Sequence, residues 1–384
     1  MKLIPYATQW LEKDDVSAVK RALVSSHLTQ GPLVDAFEKA VADYCGAKYA
    51  VAVSNGTAAL HIACLAAGLG RGDEGITSPI TFVASANALL YCGAKPVFAD
   101  IKEETVCLDP AEIEKKITRK TRAIIPVHFA GQPCDLKKIR QIARRHNLVV
   151  IEDAAHALGA EYRGDRIGSG RYSDMTILSF HAVKHITTGE GGMVLTNNPD
   201  YYEKLKMLRS HGITRAAGQL RQKSRRCYYE MQLLGFNYRL TDIQCALGLT
   251  QLKKLDRFVE RRRAIAKKYD RAFAGVKGLA PLKEEKGNYS AYHLYVLRFS
   301  RRVFAAKSEI IEAFHEKGLL VNVHYIPVYH QPYYEKAGYK KGLCPLAESY
   351  YEEAVTLPLF PKMSEAEVDR VIATTLAIAE KFKK

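Results

Sequence analysis

A lysine set among small residues is the feature of this chain with the clearest chemical meaning. In SFHAVKHITTGEGGMVLT, Lys184 lies between His181 and His185 and is followed by Thr187, Thr188, Gly189, Gly191 and Gly192. Apolar runs flank the segment on both sides, so the amine sits on a small-residue loop between strand ends. An amine held there loses hydration, which lowers its pKa and makes it a usable nucleophile toward a carbonyl. Lys184 is therefore expected to be a Schiff-base lysine. Asp153, in LVVIEDAAHALGA, ends another apolar run, where an ionised carboxylate is costly unless it meets a cation. A protonated pyridinium nitrogen is such a partner, and the pair would keep a pyridoxal phosphate ring electron-poor enough to stabilise a substrate carbanion. A cap for the next helix explains Asp153 equally well. His156, one helical turn on, could touch the ring oxygen or simply pack.

These residues need a frame that brings them together. Short apolar runs recur at 50–53, 75–78, 96–99, 123–127, 148–152, 175–180 and 192–196, several of them separated by helical segments such as 81–91, 111–117 and 136–146. Continuous apolar strands alternating with helices imply an α/β fold with a mostly parallel, seven-stranded sheet covered on both faces. Ligands of such sheets sit beyond the strand C-terminal ends, where Ser54 to Thr57, Phe82, Asp153 and Ser179 all fall. The Ser54-Asn55-Gly56-Thr57 turn leads into an alanine-rich helix, whose unpaired N–H groups make an anion cup; an ordinary capped helix reads the same way. One long helix over 242–258 is expected to run between domains. From about residue 281 the pattern becomes mixed, with strands at 292–299 and 319–325 and helices at 307–317, 346–355 and 365–381. Residues 1–250 are thus read as a large cofactor-binding domain and 251–384 as a smaller C-terminal α+β domain.

With 384 residues the chain exceeds a usual single core, and 47% hydrophobic content fits a globular interior. No segment reaches membrane-spanning length without charges and MKLIPYATQW lacks a long apolar core, so a cytoplasmic protein without a membrane partner is expected. Eight scattered cysteines with no CxxC pair are expected as buried free thiols. The net charge of +16 is concentrated after residue 200, at 221–226 and 257–263. No aromatic-rich nucleic-acid module accompanies it, so a solvated helix face is the simpler reading and no nucleic-acid partner is expected. His181 and His185 are four apart, but the loop between them and the lack of a third ligand argue against a metal. The tyrosines of 325–334 could stack on a uracil ring or fill core and loop.

SNGTAAL, SPITFVASANALL, IEDAAHALGA, SFHAVKHITTGEGG and GFNYRLTDIQCALG, in that order, resemble the successive motifs of the DegT/DnrJ/EryC1/StrS family of pyridoxal-phosphate-dependent nucleotide-sugar aminotransferases, which have the aspartate-aminotransferase (fold-type I) architecture. The similarity runs from Tyr6 to the last helices. It implies that Lys184 forms the Schiff base with the cofactor and shuttles the proton to the substrate carbon, and that Asp153 pairs with the pyridine nitrogen. It further implies that Phe82 stacks on the ring and that Gly56, Thr57 and Ser179 hold the phosphate. The family's active site lies at a homodimer interface, where Asn237 would reach the neighbour's phosphate. SHLTQGP, SFHAVK (with Ala182 where many relatives have proline) and VHYIPVYHQPYY are most similar to the UDP-4-amino-4,6-dideoxy-N-acetyl-altrosamine transaminases of pseudaminic acid synthesis. By that resemblance Tyr6, Ser26, His27, Leu28, Thr29 and Val323, His324, Tyr325 and Ile326 would contact a UDP-linked 4-ketosugar, with L-glutamate as amino donor. A dTDP- or GDP-ketosugar enzyme is the near alternative, and a cofactor-binding regulatory protein without turnover the distant one. Gly75, where relatives commonly have an apolar residue, is expected to loosen a strand edge.

Overall fold

The computed structural model describes residues 2–221 and 228–384. Seven strands, β1 (Tyr49–Val53), β2 (Glu74–Thr77), β3 (Lys95–Phe98), β4 (Thr121–Ile125), β5 (Val149–Asp153), β6 (Met175–Ser179) and β7 (Gly192–Thr196), form one sheet in the order β1-β7-β6-β5-β4-β2-β3. Only β7 runs antiparallel to its neighbours. Side chains alternate between two buried layers: Ala50 and Ala52 face one, Val51 and Val53 the other. Helices cover both faces, which is why the strands read as unbroken apolar runs.

The direction of β7 matters for the site. Its first residue, Gly192, is in register with Val53 of β1 and Ser179 of β6, the last residues of two strands that run the other way. The loop carrying Lys184 therefore leaves the sheet and returns to it at the same end of the strands. A Cβ on Gly192 would collide with the Asn55 main chain, so glycine is required where the returning strand meets the 54–57 turn.

Several boundaries differ from the sequence reading. The expected single helix after residue 241 is two, Asp242–Leu252 and Leu255–Phe273; the Thr241–Gln244 capping box starts the first and the Lys253-Lys254 pair lies at the break. The strand expected at 319–325 is reduced to Leu319–Leu320, paired with Ile4–Pro5, and a single bridge from Asn322 to Thr356. The helix expected at 346–355 ends at Glu353, and Ala354–Leu357 instead forms a strand beside Tyr295–Phe299. Gly75 is not at an edge: β2 lies between β3 and β4, and a Cβ there would run into the Leu89 side chain. Its lack of a side chain lets the helix Ala84–Tyr91 pack close. A second core gathers Ile4 with residues from Ile265 to Ala379.

Seven cysteines are free, six of them buried and Cys92 partly so; Cys227 lies outside the described residues, as does most of the basic run 221–226. Much of the other basic run is neutralised internally, Arg257 by Glu12, Arg261 by Glu365 and Arg263 by Glu284. Among the described residues no helix is long and apolar enough to cross a membrane.

Candidate active site

A cavity of about 800 Å³ opens at the C-terminal ends of the parallel strands. Lys184, Asp153, His156, Ser179, Gly56, Thr57, Phe82, Tyr6, His324 and Tyr325 all line it, so residues scattered over more than three hundred positions converge there. Asn55 caps the helix Gly56–Ala66, its side chain accepting from the Ala58 amide at 2.8 Å. That leaves the Gly56 and Thr57 amides without an intrahelical partner at the positive end of the helix dipole. Ser179, at the end of β6, faces them; a Cβ at Gly56 would stand 3.1 Å from Ser179 Cβ. The result is a cup for a dianion. Gly56→Ala is expected to push Ser179 outward and weaken binding of a phosphorylated cofactor about tenfold or more, read by equilibrium dialysis.

Asp153 is 6% exposed. One carboxylate oxygen accepts from Ser85 Oγ at 2.6 Å and the other from the Ala155 amide at 3.1 Å. Because the Ser85 proton goes to Asp153, the hydroxyl of Thr81, 2.7 Å from Ser85, donates to Ser85 in turn. This relay fixes the orientation of the carboxylate at the cavity wall. Ser85 was not singled out from sequence, although it lies within SPITFVASANALL, one helical turn after Phe82.

Lys184 is partly buried, and its amide donates to the His181 carbonyl at 2.9 Å. Burial pulls its pKa down to about 8; Asp153 opposes the shift and Arg262 adds to it. Four buried imidazoles stand around it. Burial first, and the Lys184 charge after it, push His324 down to about 3 and His156 and His293 well below the usual histidine range. His185 is held down by burial and then by Arg262. All four are neutral at neutral pH, so they position without adding charge. His185 turns inward and donates from Nε2 to the Ala291 carbonyl at 3.1 Å, while His181 is exposed beside Glu190. The two histidines flanking the lysine thus point to different places, and no metal pair forms between them.

His156 lies between the rings of His293 (centroids 4.3 Å apart) and Tyr325 (6.1 Å, interplanar 22°). Its Nε2 is 3.3 Å from the Tyr325 hydroxyl, whereas its Nδ1 is buried without a partner. Such an orphaned group fits a ligand oxygen. Together with the Gly56–Thr57 cup, the Asp153 carboxylate and the low-pKa amine, the residues match a phosphorylated pyridine aldehyde: anion at one end, ring nitrogen at the other, ring oxygen and carbonyl between. Phe82, 58% exposed, stands at the rim with its ring 6.4 Å from that of Tyr325.

Other expected residues lie elsewhere in the single chain. Ser26, His27, Leu28 and Thr29 are exposed; Ser26 and His27 border a separate cavity of about 430 Å³ floored by Ala18, Ala22, Leu33 and Ala246. Thr29 bridges Thr241, and the Leu28 carbonyl accepts from the Asp242 amide. Asn237 is exposed and bridges Ser210. Val323, half-buried, and Ile326, exposed, do not line the main cavity. Residues not anticipated that do line it include His61, Thr81, Tyr91, Glu190, Tyr238 and Asn322. Among the described residues, Lys184 is the sole lysine or arginine on the cavity wall.

Residues 9–376 match the model of the DegT/DnrJ/EryC1/StrS aminotransferase family. The chain is 43% identical over 373 residues to the spore coat polysaccharide biosynthesis protein SpsC of Bacillus subtilis, covering 96% of this chain and 95% of that one. Among solved structures it resembles Helicobacter pylori PseC, an aminotransferase involved in the biosynthesis of pseudoaminic acid, with a TM-score of 0.92, 34% identity and coverage of 99% and 100%. It also resembles a putative sugar aminotransferase of Streptococcus pneumoniae, Spr1654, in its pyridoxal phosphate form, with a TM-score of 0.91, 32% identity and coverage of 99% of each chain.

Proposed function

Because the chain belongs to the DegT/DnrJ/EryC1/StrS aminotransferase family and is a pyridoxal-phosphate-dependent sugar aminotransferase, we propose that it aminates the C4 ketone of a UDP-linked 2-acetamido-2,6-dideoxy-hexos-4-ulose. L-Glutamate would be the amino donor and a 4-amino-4,6-dideoxy sugar nucleotide of the pseudaminic acid type the product. The observation that carries this reading is the convergence of Lys184, Asp153 and the Gly56–Thr57–Ser179 cup on one cavity, joined to the likeness to PseC.

Pyridoxal phosphate, when bound, supplies an electron sink for the carbanion formed at the carbon that exchanges its amino group. The protein's part is assigned to its own residues as follows. Asp153 would hold a proton on the pyridine nitrogen, and the Gly56 and Thr57 amides with Ser179 Oγ would anchor the phosphate. His156 Nδ1 would donate to the ring oxygen, and Phe82 would pack against the ring. The Lys184 amine, neutral in a substantial fraction near pH 8, takes the donor's α proton in the first half-reaction and delivers a proton to the sugar carbon in the second. His324, Tyr325 and Tyr6 line the side where the ketosugar would enter.

A nucleoside diphosphate and a dicarboxylate donor need more positive charge than Lys184 alone. That supports a homodimer in which the neighbour completes each site, with exposed Asn237 and the 26–29 loop as its contributions. The test is to incubate the purified enzyme with L-glutamate and a panel of UDP-, dTDP- and GDP-linked 4-ketosugars, identifying products by mass and NMR. Amination of the UDP-linked 2-acetamido sugar is expected; failure of every UDP sugar beside success of a dTDP or GDP sugar sinks the substrate assignment.

A further inference from the structure

Among the described residues, the least explained buried charge is Arg262. It lies in the middle of the helix Leu255–Phe273 and is 1% exposed. The arginines on either side of it are paired, Arg261 with Glu365 and Arg263 with Glu284. Arg262 meets no carboxylate among the described residues. Its Nη1 donates to three main-chain carbonyls, Leu359 at 2.9 Å, His293 at 3.1 Å and Tyr292 at 3.4 Å, and its Nε has no partner. A buried cation held only by carbonyl dipoles is costly, so a fold keeps one where its charge has a use or where its fork fixes a backbone.

Both conditions are met at the corner it grips. Tyr292 has φ of 43°, a left-handed conformation that a bulky residue adopts only under constraint. The Ala291 amide donates to the Gly131 carbonyl and the Leu294 amide to the Ala130 carbonyl. Gly131, itself at φ of 99°, has no room for a Cβ between the Tyr292 and His293 amides and the His156 carbonyl. The corner then reaches the cavity by two routes. The Ala291 carbonyl takes the Nε2 proton of His185, the residue after Lys184, and the His293 ring lies against His156.

We infer that Arg262 is a positioning residue for the transamination, a buried cation that locks the Tyr292–His293 corner and thereby fixes His185 and His156 in place around Lys184. The inference rests on the reading of Lys184 as the reacting amine. Facing Arg262 are His185 and His293, with Lys184 beyond them; facing Lys184 are Asp153, His156, His185, His293 and His324. Asp153 is the one anion in that set. Removing the Arg262 charge leaves burial alone to oppose it, and protonated Lys184 becomes easier to sustain.

The experiment uses cofactor-free full-length protein and trace acetic anhydride, with acylation of Lys184 followed by mass spectrometry across pH. Only the neutral amine reacts, so wild-type labelling should rise through about pH 8. Arg262→Gln keeps donors for the carbonyls and loses the charge; it is expected to label at least about threefold less at pH 8, with the midpoint moved up. A folded Arg262→Gln protein that labels as wild type at every pH overturns the inference. Should that variant fail to fold, His293→Gln decides: the charge and its carbonyl contacts stay, so the midpoint is unchanged while pyridoxal phosphate binds about tenfold more weakly, and wild-type affinity overturns the inference. Neither readout involves sugar or donor, so a wrong substrate leaves both intact, whereas a wrong choice of reacting amine is exposed by turnover persisting in Lys184→Ala.

Discussion

Lys184→Ala is expected to lose turnover by about 10⁴-fold or more, because in the proposed mechanism one amine serves as covalent anchor and as proton carrier in both half-reactions. The purified variant should also lack the visible absorption band of lysine-bound cofactor. Its cavity retains the phosphate cup and Asp153, so it should still bind pyridoxal phosphate by dialysis. Wild-type transamination by Lys184→Ala would refute the assignment. The depressed pKa carries a stability consequence whose sign is fixed. Folding favours the neutral amine, so the cost is fully present below about pH 8 and fades as pH rises to the unfolded value of 10.5. Lys184→Met should therefore stabilise the cofactor-free protein at pH 7 by on the order of 2 kcal/mol, with the gain shrinking above pH 8 in denaturant titrations. A site that makes an amine reactive is paid for in fold stability.

Asp153→Asn carries the second largest expected effect. The side chain keeps its shape, but an amide cannot supply the negative charge that holds a proton on the pyridine nitrogen. Breaking a buried charge pair by removing one member costs about 3–5 kcal/mol, so kcat should fall by roughly 10²- to 10⁴-fold, with a smaller change in cofactor affinity because the phosphate cup is untouched. The amide nitrogen also cannot accept from Ser85 or Ala155 as both carboxylate oxygens do. Ser85→Ala separates these causes: it removes one donor and retains the charge, and should cost far less than Asp153→Asn. Equal losses in the two variants would move the explanation from charge to geometry.

The sheet and the centre of the site were legible for a physical reason. Strands buried on both faces must be apolar throughout, and the residues just past their ends are released from that requirement, so Ser179, Asp153 and the 54–57 turn stand out against their runs. What did not show is equally specific. The strand Ala354–Leu357 follows directly from a helix with no turn signal between them, so periodicity blurred the two. Arg262 sits in an arginine-rich run whose neighbours do form exposed or half-exposed ion pairs, and only packing reveals that it points inward. Ser85 looks like any small helix residue until β5 brings Asp153 beside it. The 26–29 loop and Asn237 were assigned to the site by resemblance, and in one chain they lie outside its cavity.

The antiparallel seventh strand has a consequence for how the protein assembles. β1 has a single neighbour in the sheet, β7, and all the other strands of that sheet are encoded between the two. Closing so long a loop costs chain entropy before any pairing can repay it, so the turn carrying Gly56 and Thr57 is expected to meet Ser179 late in folding. Cofactor binding would then act mainly by trapping a sheet whose other strands are in place.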